Sequence, residues 1–171
     1  MQPVISLLAL AGRSSLTHLA LRELAASDVP FVCGAMRTWA PSLQTLDLSA
    51  AATSAAGFPR EATEFLPLLA ELTALETLEL PLTVVAHALP YLESCGPAAR
   101  LRTLVLSQSV RLMASPAVEA DNLDALSSAL DRGAFRSLQT VRSRGSLGAT
   151  PAARLRVIKA TTSRGIRLAL P

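Results

Sequence analysis

Residues 75–80 read Leu-Glu-Thr-Leu-Glu-Leu, and residues 43–48 repeat them almost unchanged as Leu-Gln-Thr-Leu-Asp-Leu. The same L-x-x-L-x-L pattern occurs at 16–21 and at 101–106. Apolar and polar residues alternate in the second half of each copy, which is the period of a strand with one buried face. A single short strand cannot bury its leucines alone. The copies are therefore predicted to stack as parallel strands around one shared core.

Two looser copies of the pattern follow. Residues 138–143 read Leu-Gln-Thr-Val-Arg-Ser, and residues 155–160 read Leu-Arg-Val-Ile-Lys-Ala. Counted between their first residues, the six copies are 27, 32, 26, 37 and 17 residues apart. The sequence therefore predicts six strands at uneven spacing, the last of them at 155–160.

The segments between the copies carry helical signals, namely capping residues and apolar residues at helical spacing. Helices are predicted at 4–11, from Ser27 or Asp28 to Thr38, after Pro59, at 85–92 and from Ser115 to Gly133. The residues expected to face the core from these helices are Val29, Val32, Cys33, Met36, Phe65, Leu68, Leu69, Leu72, Val85, Leu89, Leu92, Leu123, Leu126 and Leu130. Parallel strands need long crossovers, and helices are the usual ones. The predicted fold is α/β, built from about six irregular helix-turn-strand units.

The copies at 43–48 and 75–80 resemble leucine-rich repeats, and their long helical units resemble the ribonuclease-inhibitor-like branch. The stretch 154–168 is similar to the repeat region of fungal F-box/LRR-type proteins. The resemblance implies a horseshoe-like solenoid with a parallel sheet on its concave side, with residues 1–171 as a single domain of a longer protein. It also implies a protein-interaction module, recruiting substrates to an F-box-type ubiquitin ligase. The chain departs from the family pattern after each strand, where the usual Asn or Cys is missing.

In such repeats, the strand positions beside the buried leucines point to the concave face. One row of that face is predicted to hold Thr45, Thr77, Thr103 and Thr140. The next row is predicted to run from Asp47 and Glu79 to Arg142 and Lys159, acidic at one end and basic at the other. The residues predicted to bind a partner are His18, Arg22, Thr45, Asp47, Thr77, Glu79, Thr103, Val105, Thr140, Arg142, Arg144 and Lys159. A solvated strand face would explain the threonines equally well, because threonine is a good strand former.

Charge is distributed unevenly along the chain. The net charge is +3, but residues 1–131 carry 7 Arg against 13 Asp and Glu, whereas residues 132–171 carry 8 Arg and one Lys without any acid. A basic end can favour nucleic acid or an acidic partner, and this is one alternative function. A second alternative is a structural segment that caps a longer solenoid, since terminal repeats are often atypical.

The sequence contains none of the usual signatures of an enzyme. It has no glycine-rich phosphate loop and no G-x-S-x-G motif. The only two histidines, His18 and His87, fall on different elements, and Cys33 and Cys95 do not form a zinc pattern. We expect no catalytic activity, no metal, no cofactor and no small-molecule substrate. No apolar stretch is long enough to span a membrane, and an intracellular location, cytoplasmic or nuclear, is expected.

Overall fold

A computed structural model describes residues 15–22, 29–50, 60–94, 100–108, 115–145 and 150–170. Within these ranges six strands form one sheet. The strands are β1 (His18–Arg22), β2 (Thr45–Ala50), β3 (Thr77–Pro81), β4 (Thr103–Ser107), β5 (Thr140–Arg144) and β6 (Arg167–Ala169). They lie side by side in chain order, and each neighbouring pair is parallel. The predicted α/β fold with a six-stranded parallel sheet is therefore confirmed.

Helical segments connect the strands and pack in chain order as well. They are α1 (Val29–Trp39), a long 3-10 helix (Arg60–Glu71), a short 3-10 turn (Leu82–Val84), α2 (Val85–Glu93), α3 (Pro116–Asp131) and α4 (Pro151–Ser163). The long 3-10 helix packs between α1 and α2, and α3 packs between α2 and α4. Every residue predicted to face the core from these helices is buried. The helix predicted at 4–11 and the caps predicted at Ser27, Asp28 and Pro59 lie outside the described residues.

The segment after Pro59 is a 3-10 helix, although its apolar spacing also suits an α-helix. Its buried side chains form two rows at a spacing of three, one of Phe65 and Leu68 and one of Leu66, Leu69 and Leu72. That spacing matches the three residues per turn of a 3-10 helix. Pro67 lies exposed on the opposite side. The type of helix could not be predicted from the sequence. Over so short a segment, the same apolar residues fit both the three-residue spacing of a 3-10 helix and the three-to-four-residue spacing of an α-helix.

One leucine row runs through the core of the sheet. In register across the strands it comprises Leu19, Leu46, Leu78, Leu104, Val141 and Leu168. Its inner members Leu46, Leu78 and Leu104 are at most 1% exposed and belong to the same apolar cluster as the inward helix residues. Burying one leucine side chain stabilises the fold by about 2 kcal/mol. The sheet and the helical layer are thus held together by a single core.

A backbone contact repeats ahead of each strand. The carbonyl oxygen at the second motif position accepts two backbone N–H groups from the next repeat, at 2.8–3.0 Å. The acceptors of these paired bonds are Thr17, Gln44, Glu76 and Arg102. Gln139 accepts only one such bond, from Arg167 at 2.8 Å. The first four contacts fix the start of each strand against its predecessor, and this fixes the register of the sheet.

The strand predicted at 155–160 is wrong, because residues Pro151–Ser163 form α4. Thr150 caps this helix by accepting a bond from the Ala153 N–H at 3.4 Å, and Pro151 occupies its first turn, where proline is well tolerated. The helix buries Ala153, Val157 and Ala160 at spacings of three and four. The sixth strand is β6, which pairs Arg167 with Thr140, so the last spacing is 27 residues rather than 17.

Because residues 155–160 are helical, the predicted position of Lys159 in the sheet is also wrong. Lys159 is an exposed residue of α4. With Asp124, Asp131 and Arg156 it lines an open groove of about 650 Å³ between α3 and α4. The place of Lys159 in the row of charged strand residues is taken by Ala169.

Arg164 fixes the end of α3 from the end of α4. Its Nη1 donates to the carbonyl oxygens of Leu130 at 3.1 Å and of Ala134 at 2.6 Å, and its Nη2 donates to that of Phe135 at 3.3 Å. The last carbonyl groups of a helix have no partner inside the helix, so a guanidinium is a suitable cap. The turn that presents these oxygens needs Gly133 at a φ of 80°.

Candidate functional site on the polar face of the sheet

The sheet has a second face, opposite the leucine row, which we call the polar face. Side chains alternate between the two faces along a strand. The residues just before and just after each member of the leucine row therefore form two rows on the polar face. The threonine row comprises His18, Thr45, Thr77, Thr103, Thr140 and Arg167. The charged row comprises Ala20, Asp47, Glu79, Val105, Arg142 and Ala169. The two rows confirm the predicted register of the strands up to β5.

The predicted binding residues are brought together on this face, with two exceptions. Lys159 is the first, because it lies on α4. Arg22 belongs to β1 and pairs with Ala50 across an irregularity in the register, but its side chain is outside the described part of the molecule. The others lie in the two rows, except Arg144, which pairs with Ser107 one step further along the strands. Whether these residues bind a partner stays a prediction.

Exposure varies widely across the polar face. His18 and Arg142 are exposed, and the four threonines are half-buried. Glu79 and Val105, by contrast, are each only 5% exposed. Their burial could not be predicted from the sequence, because alternation shows which face a residue occupies but not what covers it.

Glu79 forms an ion pair that crosses the sheet. Its Oε1 lies 3.2 Å from Nη1 of Arg144, which is on β5, so the pair spans the intervening strand β4. The carboxylate side chain is 6% exposed and the arginine side chain 68%. The contact is not aligned as a hydrogen bond, and within the described residues Glu79 Oε1 accepts no hydrogen bond at all. A buried carboxylate oxygen is thus only partly compensated.

The surroundings of Glu79 raise the pKa of its carboxyl group. Burial is the largest cause, and repulsion from Asp47 on the neighbouring strand adds to it. Arg144, a hydrogen bond with the Ser49 side chain and Arg142 act in the opposite direction but do not cancel the first two. The acidic end of the polar face therefore holds a carboxyl group whose charge is under-compensated.

Asp47 completes the acidic end. It pairs in register with Glu79 and is half-buried. Its Oδ1 accepts the backbone N–H of Ser49 at 2.8 Å, which closes a local turn and fixes the side chain over the sheet. Two fixed carboxylates thus lie side by side on β2 and β3, opposite the arginines of β5.

The basic residues of the last 40 positions are spread over several surfaces. Arg142 and Arg144 lie on the polar face, whereas Arg156 and Lys159 lie on α4. Several of the arginines are already engaged: Arg132 contacts Glu93 at 2.8 Å, and Arg156 forms two bonds of 2.6 Å to Asp124. The local excess of positive charge in the sequence is thus divided between the sheet and α4.

Other kinds of site find little support among the described residues. They include no group of three or more His, Cys, Asp and Glu side chains placed to hold a metal ion. His18 hydrogen-bonds to the neighbouring Thr17 at 2.8 Å on β1, while His87 is exposed on α2. No helix in the described ranges combines the length and the apolar character needed to cross a membrane.

Comparison of the chain with models of known protein families, and with curated protein sequences, gives no match.

Proposed function

We propose that the chain is a leucine-rich-repeat solenoid that binds a protein partner on the polar face of its sheet. The observation that supports this most is the separation of charge on that face. Asp47 and Glu79 lie on β2 and β3, and Arg142 and Arg144 lie on β5. Complementary charge selects and orients a protein partner more than it adds raw affinity, and a surface with one acidic and one basic end suits that role.

The repeat character supports the same proposal. Strands and helices both follow chain order, so each unit packs mainly on its neighbours, and such stacks offer long open surfaces for binding. Recruitment of substrates to an F-box-type ubiquitin ligase is the narrower proposal, and only the sequence resemblance supports it. Recovery of cullin-type ligase components with the full gene product would support that narrower role.

The test is affinity purification of the tagged gene product from its own cells, in charge-reversed forms. Asp47→Lys reverses the acidic end and Arg142→Glu the basic end. Asp121→Lys and Arg136→Glu make the same charge changes at exposed positions off the polar face. Proteins that bind the polar face should fall about tenfold in recovery with the first two variants and stay with the two controls. Equal recovery with all four variants would contradict the proposal.

Nucleic-acid binding through the last 40 residues is the alternative, and the scattered arginines weigh against it. If it held, binding would weaken steeply as salt is raised, because each phosphate contact releases counterions. Arg136→Glu would then lower the affinity for a nucleic acid as much as Arg142→Glu.

A further inference from the structure

Two ion pairs in this molecule differ sharply in quality. Arg156 meets Asp124 with Nε on one carboxylate oxygen and Nη2 on the other, both at 2.6 Å. This is the two-pronged arrangement that makes arginine–carboxylate pairs strong. Arg144 meets Glu79 through one contact of 3.2 Å that is not aligned as a hydrogen bond. The better pair is on the surface, and the poorer pair holds the buried carboxylate.

The poorer pair is also easy to exchange. The Arg144 side chain is 68% exposed and must cross β4 to reach Glu79. An exposed guanidinium that is held in one extended conformation loses side-chain entropy. It gains little in return, because solvent screens the ion pair. Arg144 therefore loses little when it leaves this contact, whereas the buried carboxylate needs a replacement, which two aligned donors from a partner would supply.

The chemistry of the site selects the kind of cation. Calcium takes six or more oxygen ligands and magnesium nearly ideal octahedral geometry, whereas among the described side chains only two carboxylates, Glu79 and Asp47, meet on this part of the face. A planar guanidinium needs only one or two carboxylates and matches their geometry. Arg144 already places such a group at this point in the unbound chain.

We infer that the Glu79 carboxylate is the binding site for an arginine side chain in a basic segment of the protein partner, and that Arg144 occupies this site until the partner displaces it. The inference rests on the proposed function, since the partner must lie on the polar face. Asp47 adds a second negative charge beside the site. Released Arg144 remains at the basic end of the face, where it is free to meet an acidic residue of the same partner.

The experiment measures binding of a fluorescent peptide of alternating arginine and serine at low ionic strength, with a matched glutamate–serine peptide as reference. Arg144→Met is compared with Arg142→Met, which removes the same charge from the same strand without touching the Glu79 ion pair. If Arg144 occupies the site, Arg144→Met should bind the arginine peptide about tenfold more tightly than Arg142→Met. Adding Glu79→Gln should weaken binding and abolish the difference between the two methionine variants.

Equal affinities of the two methionine variants, or no binding of the peptide to Arg144→Met, would overturn the inference. The proposed function would survive that result if Asp47→Lys and Arg142→Glu still lose the cellular partners. Circular dichroism of each variant checks that the fold is intact. Equally strong binding of a lysine–serine peptide would replace the arginine-specific site with a general acidic attraction.

Discussion

The first four strands and the last two form the same sheet by different means. In β1 to β4 the leucine motif is complete, and the starts of β2 to β5 are fixed by carbonyls that accept two backbone bonds each. In β5 the buried row holds Val141, and β6 has three residues and receives a single such bond. The register nevertheless continues without a break from Thr103 to Thr140 to Arg167. A leucine in the buried row is therefore not required for this register, because Val141 keeps it on β5.

Caps add to apolar packing in the second region, where α3 still buries Leu123, Leu126 and Leu130. Ser115 caps the start of α3 and Thr150 the start of α4, each accepting an N–H at 3.4 Å. Arg164 closes the other end of α3 on three carbonyl groups. A cap contributes about 1 kcal/mol, less than a buried leucine. The helices beside the last two strands therefore add several small directional contacts to the apolar core that the whole sheet shares.

The sharpest test of this contrast truncates one leucine in each region. Leu104 on β4 is 1% exposed, and Leu168 on β6 is half-buried in the same row. Leu104→Ala should lower the free energy of unfolding by about 2–5 kcal/mol, because it leaves a cavity. Leu168→Ala should cost about 1 kcal/mol. Urea unfolding measures both, and equal losses would remove the distinction between the regions.

Removing the guanidinium clamp is the complementary test. Arg164→Met keeps most of the side-chain length but removes the guanidinium from three carbonyl groups at the end of α3 and in the turn after it; those of Leu130 and Phe135 keep a backbone donor. The expected loss in unfolding free energy is about 1–3 kcal/mol. Arg136→Met, at an exposed position of the same turn, should change it by no more than about 0.5 kcal/mol. If both variants unfold alike, capping does not hold the second region.

The smallest expected effect is a pH dependence where the two regions meet, at the Glu79–Arg144 pair. Burial and Asp47 raise the folded-state pKa of Glu79 above that of the unfolded chain, against the opposing effects of Arg144, Ser49 and Arg142. Folded protein then keeps a proton that the unfolded chain has already lost. This contribution to stability is complete below the unfolded pKa and disappears as pH rises through the folded one.

Glu79→Gln removes that titration. Relative to the natural chain, the Gln variant should therefore gain stability as the pH rises from acid to neutral. Urea unfolding of both proteins at several pH values measures the difference. A further Asp47→Asn substitution in both proteins should reduce the trend, because Asp47 is the second cause of the shift. A stability difference that does not change with pH would contradict the assignment.

Much of the architecture follows from the sequence, and the errors have identifiable physical causes. The complete motifs predict β1 to β4 because only a strand places residues 75–80 with alternate leucines inward. The motif is misleading at 155–160, where a leucine and an isoleucine match it by chance. The buried residues there are Ala153, Val157 and Ala160, which have helical spacing. Thr150 and Pro151, which mark the start of a helix, are the signal that could have corrected the prediction.

The candidate site was only partly predictable. Alternation along the strands places Asp47, Glu79 and Arg142 in one row, and the structure confirms that row. The diagonal pair of Glu79 and Arg144 was missed, because one intervening strand and a shift along the sheet separate the residues. Contacts of this kind depend on side-chain conformation, which no periodic pattern encodes.

The order of the strands also bears on how the protein is made. When a new strand pairs with its predecessor in the chain, the strand that it needs has already been synthesised. Once β2 has formed, the carbonyl of Gln44 is in place to accept the N–H groups of Glu76 and Thr77. At a synthesis rate of about 5–20 residues per second, the next strand arrives within seconds. The sheet can therefore grow from its N-terminal edge during translation, and each newly added strand becomes the template for the next.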